Sequence, residues 1–286
     1  MIQESLNRAK GLNIDLLDAQ LFLAHILNCS RAHLVSHSEE SLSLHEAHQF
    51  DAMLKRRAQG EPVAYILGKK SFWDLELIVN SHVLIPRPET EMLVEWVLNT
   101  FSACDDGLIA DLGTGSGAIA LSLAKAKPRW RLVATDFSLE ALQVAKQNAS
   151  AYQLNKVEFY EGSWCEALPV IQFDVIISNP PYIDEQDTYL QGDIRFEPRS
   201  ALVALDEGFA DLVQIAKEAW HYLKPSGYLA LEHGWTQAER LQDELIMLGY
   251  EEVQTFKDFA GHDRMTIGKN PHPGPLPRVG EGMKTE

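Results

Sequence analysis

Cysteine is scarce in this 286-residue chain. The three that occur, Cys29, Cys104 and Cys165, are odd in number and far apart. They give neither a disulfide framework nor zinc-ligand spacing, so no metal is expected. No stretch reaches the roughly 18 uninterrupted apolar residues that a membrane span needs. The opening segment, MIQESLNRAKGLNIDLL, lacks the basic start and apolar core of a secretory signal. A cytoplasmic protein with no membrane partner is the expectation. Basic residues are also few, 25 Lys and Arg against 41 Asp and Glu, a net charge of −16. A protein that grips phosphate backbones draws affinity from clustered Lys and Arg. The balance therefore argues against direct nucleic-acid binding and for a protein or small-molecule partner.

What is present is an ordinary globular composition, 45% hydrophobic and 23% charged. The length suits one large domain and a small one, or two of ordinary size. Residues 1–75 read as a helical domain, with Leu17, Leu21, Ala24 and Leu27 at helical spacing and a second patch at Phe50, Met53 and Leu54. Residues 76–90 read as the rest of a short extended pair and a linker: Leu75, Leu77 and Val79 alternate, and Pro86 and Pro88 follow.

Over 91–269 strand and helix patterns alternate. Strands are expected at 108–113, 131–136, 157–162, 173–179 and 227–234, near Val253, and over Met265 to Ile267. Helices are expected at 116–127, 139–149, 211–223 and 236–248, the second capped by Ser138. This alternation implies an α/β domain whose sheet is mostly parallel, with helices on both faces. Residues 270–286, rich in Pro and Gly, read as a disordered tail.

Two corners carry the chemistry. DLGTGSGAIA (111–120) joins the first strand of the large domain to a helix, and Gly113, Gly115 and Gly117 allow a sharp turn and close approach of a ligand. Asp136 ends the next strand, where a carboxylate can accept both hydroxyls of a ribose or else serve as a helix cap. The spacing is G-x-G-x-G, not the G-x-G-x-x-G of a dinucleotide site. VIISNPPYIDEQ (175–186) ends another strand in two prolines, which no helix or ladder continues through. If that strand neighbours the first, Asn179 and the Pro180 carbonyl present two acceptors beside the glycine turn. That arrangement suits an NH2 group that must be held still, with Tyr182 offering a flat face. A structural Asx corner is the plain alternative.

Taken together, D-x-G-x-G-x-G, the later acidic residue and N-P-P-Y resemble an S-adenosylmethionine-dependent N-methyltransferase of the Rossmann-like class. IPRPETE (85–91), NPPYI (179–183), RFEP (195–198) and LEHG (231–234) narrow the resemblance to the release factor glutamine methyltransferases, over residues 1–269. The resemblance implies S-adenosylmethionine on Gly113, Thr114, Gly115, Ser116 and Gly117, with Asp136 on the ribose and Trp164 beside the adenine. It implies that Asn179 touches cofactor and substrate, that Pro180, Pro181 and Tyr182 line the substrate slot, and that Asn179, Pro180 and Tyr182 are the catalytic set. The implied substrate is the Gly-Gly-Gln glutamine of class 1 peptide-chain release factors, S-adenosylhomocysteine being the other product. Residues 1–75 would dock the release factor, and the enzyme is expected to be a monomer.

N-P-P-Y is shared with adenine-N6 methyltransferases of nucleic acids, which remain the alternative; a non-catalytic cofactor-binding scaffold is a third. No titratable side chain lies within SNPPY, so no essential general base is expected, with Glu232 and His233 as the two exceptions to weigh. Arg195, Glu197 and Arg199 either grip a protein backbone or form a solvated face.

Overall fold

The computed structural model describes residues 1–271. The expected tail therefore lies outside the described residues, apart from its first two. Asn270 is a correction to that boundary: it is buried, exchanges backbone hydrogen bonds with Ser226 and Gly227, and donates its amide to the Trp220 and Leu223 carbonyls. The chain divides into two compact units, one made of Met1–Lys69 and Tyr189–Phe196, the other of Lys70–Thr188 and the chain from Glu197 on.

The first unit is helical: α1 (Ile2–Gly11), α2 (Leu16–Ile26), α3 (Arg31–Ser36), α4 (Leu44–Ala58) and α5 (Val63–Leu67). Side-chain oxygens of Asp15, Ser30 and Ser43 cap α2, α3 and α4 by accepting otherwise unpaired N–H groups. Its core gathers Ile2, Leu6, Phe22, Leu23, Leu34, Phe50, Leu54 and Ile66. The expected stripe on α2 is displaced, since Ala19, Phe22 and Leu23 are buried while Leu17 is 44% exposed. LLDAQLFLAHI is apolar nearly all round, so spacing alone does not choose a face. Residues 189–196 join this unit through the Arg195 guanidinium, which donates to the Gln59 carbonyl at 2.7 Å.

The second unit begins with the expected extended pair, β1 (Lys69–Phe72) and β2 (Leu75–Ile78), followed by α6 (Glu91–Thr100). The alternating part then runs β3 (Leu108–Leu112), α7 (Ala118–Ala126), β4 (Arg131–Asp136), α8 (Leu139–Ala151), β5 (Glu158–Glu161) and β6 (Phe173–Ser178). A short turn, α9 (Leu205–Gly208), precedes α10 (Ala210–Tyr222), β7 (Leu223–Glu232), α11 (Ala238–Met247), β8 (Glu251–Lys257) and β9 (Asp263–Lys269).

The seven strands order as β5-β4-β3-β6-β7-β9-β8, parallel from β5 to β7 and antiparallel at β9 and β8. Both faces are covered. Ile109, Leu132, Ala134, Val175 and Ile177 pack on one side with residues of α6 and α7. Ala110, Leu112, Val133, Ile176, Leu229 and Leu231 pack on the other with residues of α10 and α11. The period-2 alternation of strand side chains divides the core this way. The expected mostly parallel sheet is borne out. With β3 flanked by β4 and β6, the strand order reverses at β3, and a crevice opens at the carboxyl ends there.

Candidate functional site

The turn after β3 is built by its own sequence. Asp111 is buried, and its Oδ2 accepts the Thr114 hydroxyl at 2.6 Å and the Ala120 amide at 3.1 Å. Burial pushes its pKa up to about 6, against the lowering effect of those two bonds. Gly113 stands at φ +68°, and a Cβ there would meet the Trp164 ring at 3.2 Å. Gly117 caps α7 at φ +84°, where a Cβ would press to 2.9 Å of Leu121. Only glycine fits either position without strain.

A cavity of about 600 Å³ lies over this turn, entirely within the second unit. Among its walls are Gly113, Gly115, Asp136, Trp164, Asn179 and Pro181. Six of the expected site residues, drawn from four separate stretches of sequence, thus converge. The other five do not line it. Thr114 turns inward to Asp111, the Ser116 carbonyl accepts the Asn148 amide, and Gly117 starts the helix. Pro180 is buried, and the Tyr182 hydroxyl donates to Glu232 at 3.3 Å.

Among the described residues, four carboxylates line the cavity, on Asp136, Glu140, Glu161 and Asp211, and no Lys or Arg does. Asp136 accepts the Gly115 amide on Oδ2 and the Ser138 amide on Oδ1, both at 2.9 Å. The cap of α8 is Ser138 itself, whose hydroxyl oxygen accepts the Ala141 amide. Burial raises the Asp136 pKa, partly offset by the backbone N–H groups it accepts. Trp164 sits at φ +41°, a left-handed conformation that is unfavourable for a bulky residue, and its indole lies by the Asp211 carboxylate, whose charged form it favours.

Asn179 follows β6, which pairs with β3 and so meets the condition set by the sequence reading. Its Nδ2 donates to the Thr90 hydroxyl at 3.0 Å, and among the described residues Oδ1 has no hydrogen-bond partner. His233 is fully buried, with Nδ1 against the Gly234 carbonyl at 2.9 Å and Nε2 against the Thr266 hydroxyl at 2.8 Å. Burial lowers its pKa. Arg199 pairs with Glu185 in an exposed ion pair, while Glu197 is buried and holds Arg87.

Residues 3–68 match a family model described as the PrmC N-terminal domain, and residues 88–208 match a methyltransferase small domain. A release factor glutamine methyltransferase of Shewanella oneidensis is 50% identical over 254 residues, 88% of either chain. One of the same name from Escherichia coli is 40% identical over 269 residues, 94% of this chain and 97% of its own. The chain belongs to the release factor glutamine methyltransferase family. A methyltransferase crystal structure from Pyrococcus furiosus shares the fold, with a TM-score of 0.53 and 22% identity over 77% of this chain and 98% of that one.

The signature fragments of this methyltransferase meet around one corner, which sequence reasoning did not foresee. Thr90 of IPRPETE bonds Asn179, Glu232 of LEHG bonds Tyr182, and Glu197 of RFEP bonds Ile85 and Arg87. Their occurrence in those fragments was the available signal; their partners were not readable. Asp211 and Glu161 carried no signal at all.

Proposed function

We propose that the protein transfers a methyl group from S-adenosylmethionine to the side-chain amide nitrogen, N5, of the glutamine in the Gly-Gly-Gln loop of class 1 peptide-chain release factors. One observation carries this reading. Asn179 lines the same cavity as Gly113 and Gly115, with Nδ2 committed to Thr90 and Oδ1 left to accept.

The cavity fits the cofactor. Its volume is in the range of small-molecule sites. Among the described residues that line it, four carboxylates without a Lys or Arg favour a ligand bearing a sulfonium and an ammonium, and repel the pyrophosphate of a dinucleotide. When bound, S-adenosylmethionine supplies a methyl group on positively charged sulfur. Asp136 takes the ribose hydroxyls on its remaining lone pairs, and Trp164, beside Asp211, packs on the adenine. Thr114, Ser116 and Gly117 contribute by shaping the turn that presents Gly113 and Gly115 to the methionine part.

An amide nitrogen is a poor nucleophile because its lone pair is delocalised into the carbonyl. The protein's work is placement, which removes the entropic cost of alignment. Asn179 Oδ1 and the Pro180 carbonyl accept the two amide N–H bonds, fixing the nitrogen and leaving electron density on it as charge builds. Pro181 and Tyr182 wall the slot. No side chain is required as a base: His233 has both ring nitrogens engaged, and Glu232 is buried and does not line the cavity. The helical unit docks the release factor, a second contact area that selects one glutamine among many. The enzyme acts as a cytoplasmic monomer.

Adenine-N6 methylation would use the same corner, but a family named for a glutamine and a cavity with no Lys or Arg among its described lining residues both favour the amide. Labelled S-adenosylmethionine, offered separately with a release factor and with adenine-containing DNA, tests the choice. Mass spectrometry should find the label on the Gly-Gly-Gln glutamine. Label on adenine and none on the release factor would overturn the proposal.

A further inference from the structure

The corner bearing Asn179 rests on buried groups to which neither cofactor nor substrate binding assigns a role. Thr90, 4% exposed, accepts the Asn179 Nδ2 proton on its hydroxyl oxygen. Glu232, 1% exposed at the end of β7, accepts the Tyr182 hydroxyl on Oε1, and among the described residues its Oε2 has no hydrogen-bond partner. A carboxylate placed this deep is costly unless neighbouring donors serve it. The groups that face Glu232 come from three sides. Thr90 and Glu89 precede α6, Tyr182 follows β6, and Arg264 lies on β9. The two hydroxyls and the guanidinium favour the carboxylate, Glu89 opposes it, and burial opposes it most.

A threonine hydroxyl has one proton and two lone pairs. With a lone pair given to Asn179 Nδ2, its proton needs an acceptor elsewhere, and the unpartnered Oε2 of the neighbouring Glu232 carboxylate offers one. If the hydroxyl proton turned toward Asn179 instead, it would seek Oδ1 and favour the flipped carboxamide. A flipped Asn179 would present its NH2 to the substrate's NH2, donor against donor.

We infer that Thr90 and Glu232 are positioning residues for methyl transfer, a relay that holds the Asn179 carboxamide with Nδ2 inward and Oδ1 toward the substrate. The inference rests on the reading of Asn179 as the acceptor of the glutamine amide. It explains why three separated sequence fragments meet at one corner. It also ties turnover to the charge of Glu232: once protonated, Glu232 can donate to Thr90 and release the hydroxyl proton toward Asn179.

The test uses the full chain with Thr90→Val, Thr90→Ser and Glu232→Gln. Thr90→Val should lower kcat about 100-fold, while the Kd for S-adenosylhomocysteine stays within about twofold and Thr90→Ser recovers to within about fivefold of wild type. The acid limb of the wild-type kcat profile should be absent in Glu232→Gln. Unchanged kcat in Thr90→Val, equal damage from Thr90→Ser, or an acid limb retained in Glu232→Gln would each overturn the relay. If Thr90→Val fails to fold, the Glu232→Gln profile decides. A readout without substrate separates this inference from the proposed activity. In protein labelled with ¹⁵N-asparagine, the Asn179 NH2 signals, identified by their loss in Asn179→Asp, should move in Thr90→Val and stay in Thr90→Ser. Signals unmoved in Thr90→Val overturn the relay even if the release factor is methylated; a wild type that methylates no release factor counts against the activity alone.

Discussion

The Glu197 carboxylate holds the Arg87 guanidinium at 2.6 Å with one oxygen and the Ile85 backbone N–H at 2.9 Å with the other. This pairing spans more than a hundred residues of sequence and fastens the segment leading to Thr90 onto the loop whose Pro198, Ser200 and Ala201 line the cavity. Glu197→Ala would leave a buried N–H unpaired and a partly exposed guanidinium without its partner. The expected loss is about 2 kcal/mol of stability. Urea denaturation followed by tryptophan fluorescence measures it, and a loss below about 0.5 kcal/mol, the level of an ordinary surface change, would show that the bridge contributes little.

Asp136 is expected to govern cofactor affinity rather than turnover. Its carboxylate accepts the Gly115 amide and keeps lone pairs toward the cavity. Asp136→Ala should raise the Kd for S-adenosylhomocysteine about 100-fold by calorimetry, the value of a charge-assisted hydrogen-bond pair. Because burial raises the Asp136 pKa, wild-type affinity should weaken at a higher pH than an ordinary aspartate would dictate as the solution is acidified. Affinity independent of both changes would remove Asp136 from the site.

His233 and Asn179 should separate cleanly in kinetics. His233 is buried and bonded at both nitrogens, so His233→Ala should lower stability yet leave kcat within about fivefold of wild type. Asn179→Ala should cost about a thousandfold in kcat. Equal losses from the two would make His233 a participant and end the reading without a base.

Glu232 should make stability fall as pH rises. Burial lifts its pKa from 4.5 to about 7 in the folded protein. Between those values the folded state holds a proton that the unfolded state has released, so stability is greatest below about 4.5 and declines until about 7. Glu232→Gln removes this proton uptake. Its stability relative to wild type should therefore improve by up to about 3 kcal/mol between pH 4.5 and pH 7.5, measured by denaturation at each pH. A difference that does not change with pH would show that Glu232 titrates normally.

The sequence by itself determined the kinds of elements and where the chemistry lies along the chain. Alternating patterns placed β4 at 131–136 as found, and β6 to within a residue. Ser138 capped its helix as expected, and the glycine turn came together with Asn179 and Pro181. These are local properties: strand and helix periodicity, capping chemistry and proline stiffness act over a few residues. Tertiary structure alone decided which side chains meet across long separations. Thr90 lies 89 residues from Asn179, and Tyr182 lies 50 from Glu232. It also decided which face of the evenly apolar α2 is buried, and drew residues 189–196 into the helical unit. Strand order and packing choose such partners, and a one-dimensional pattern carries no register for contacts that only the closed sheet creates.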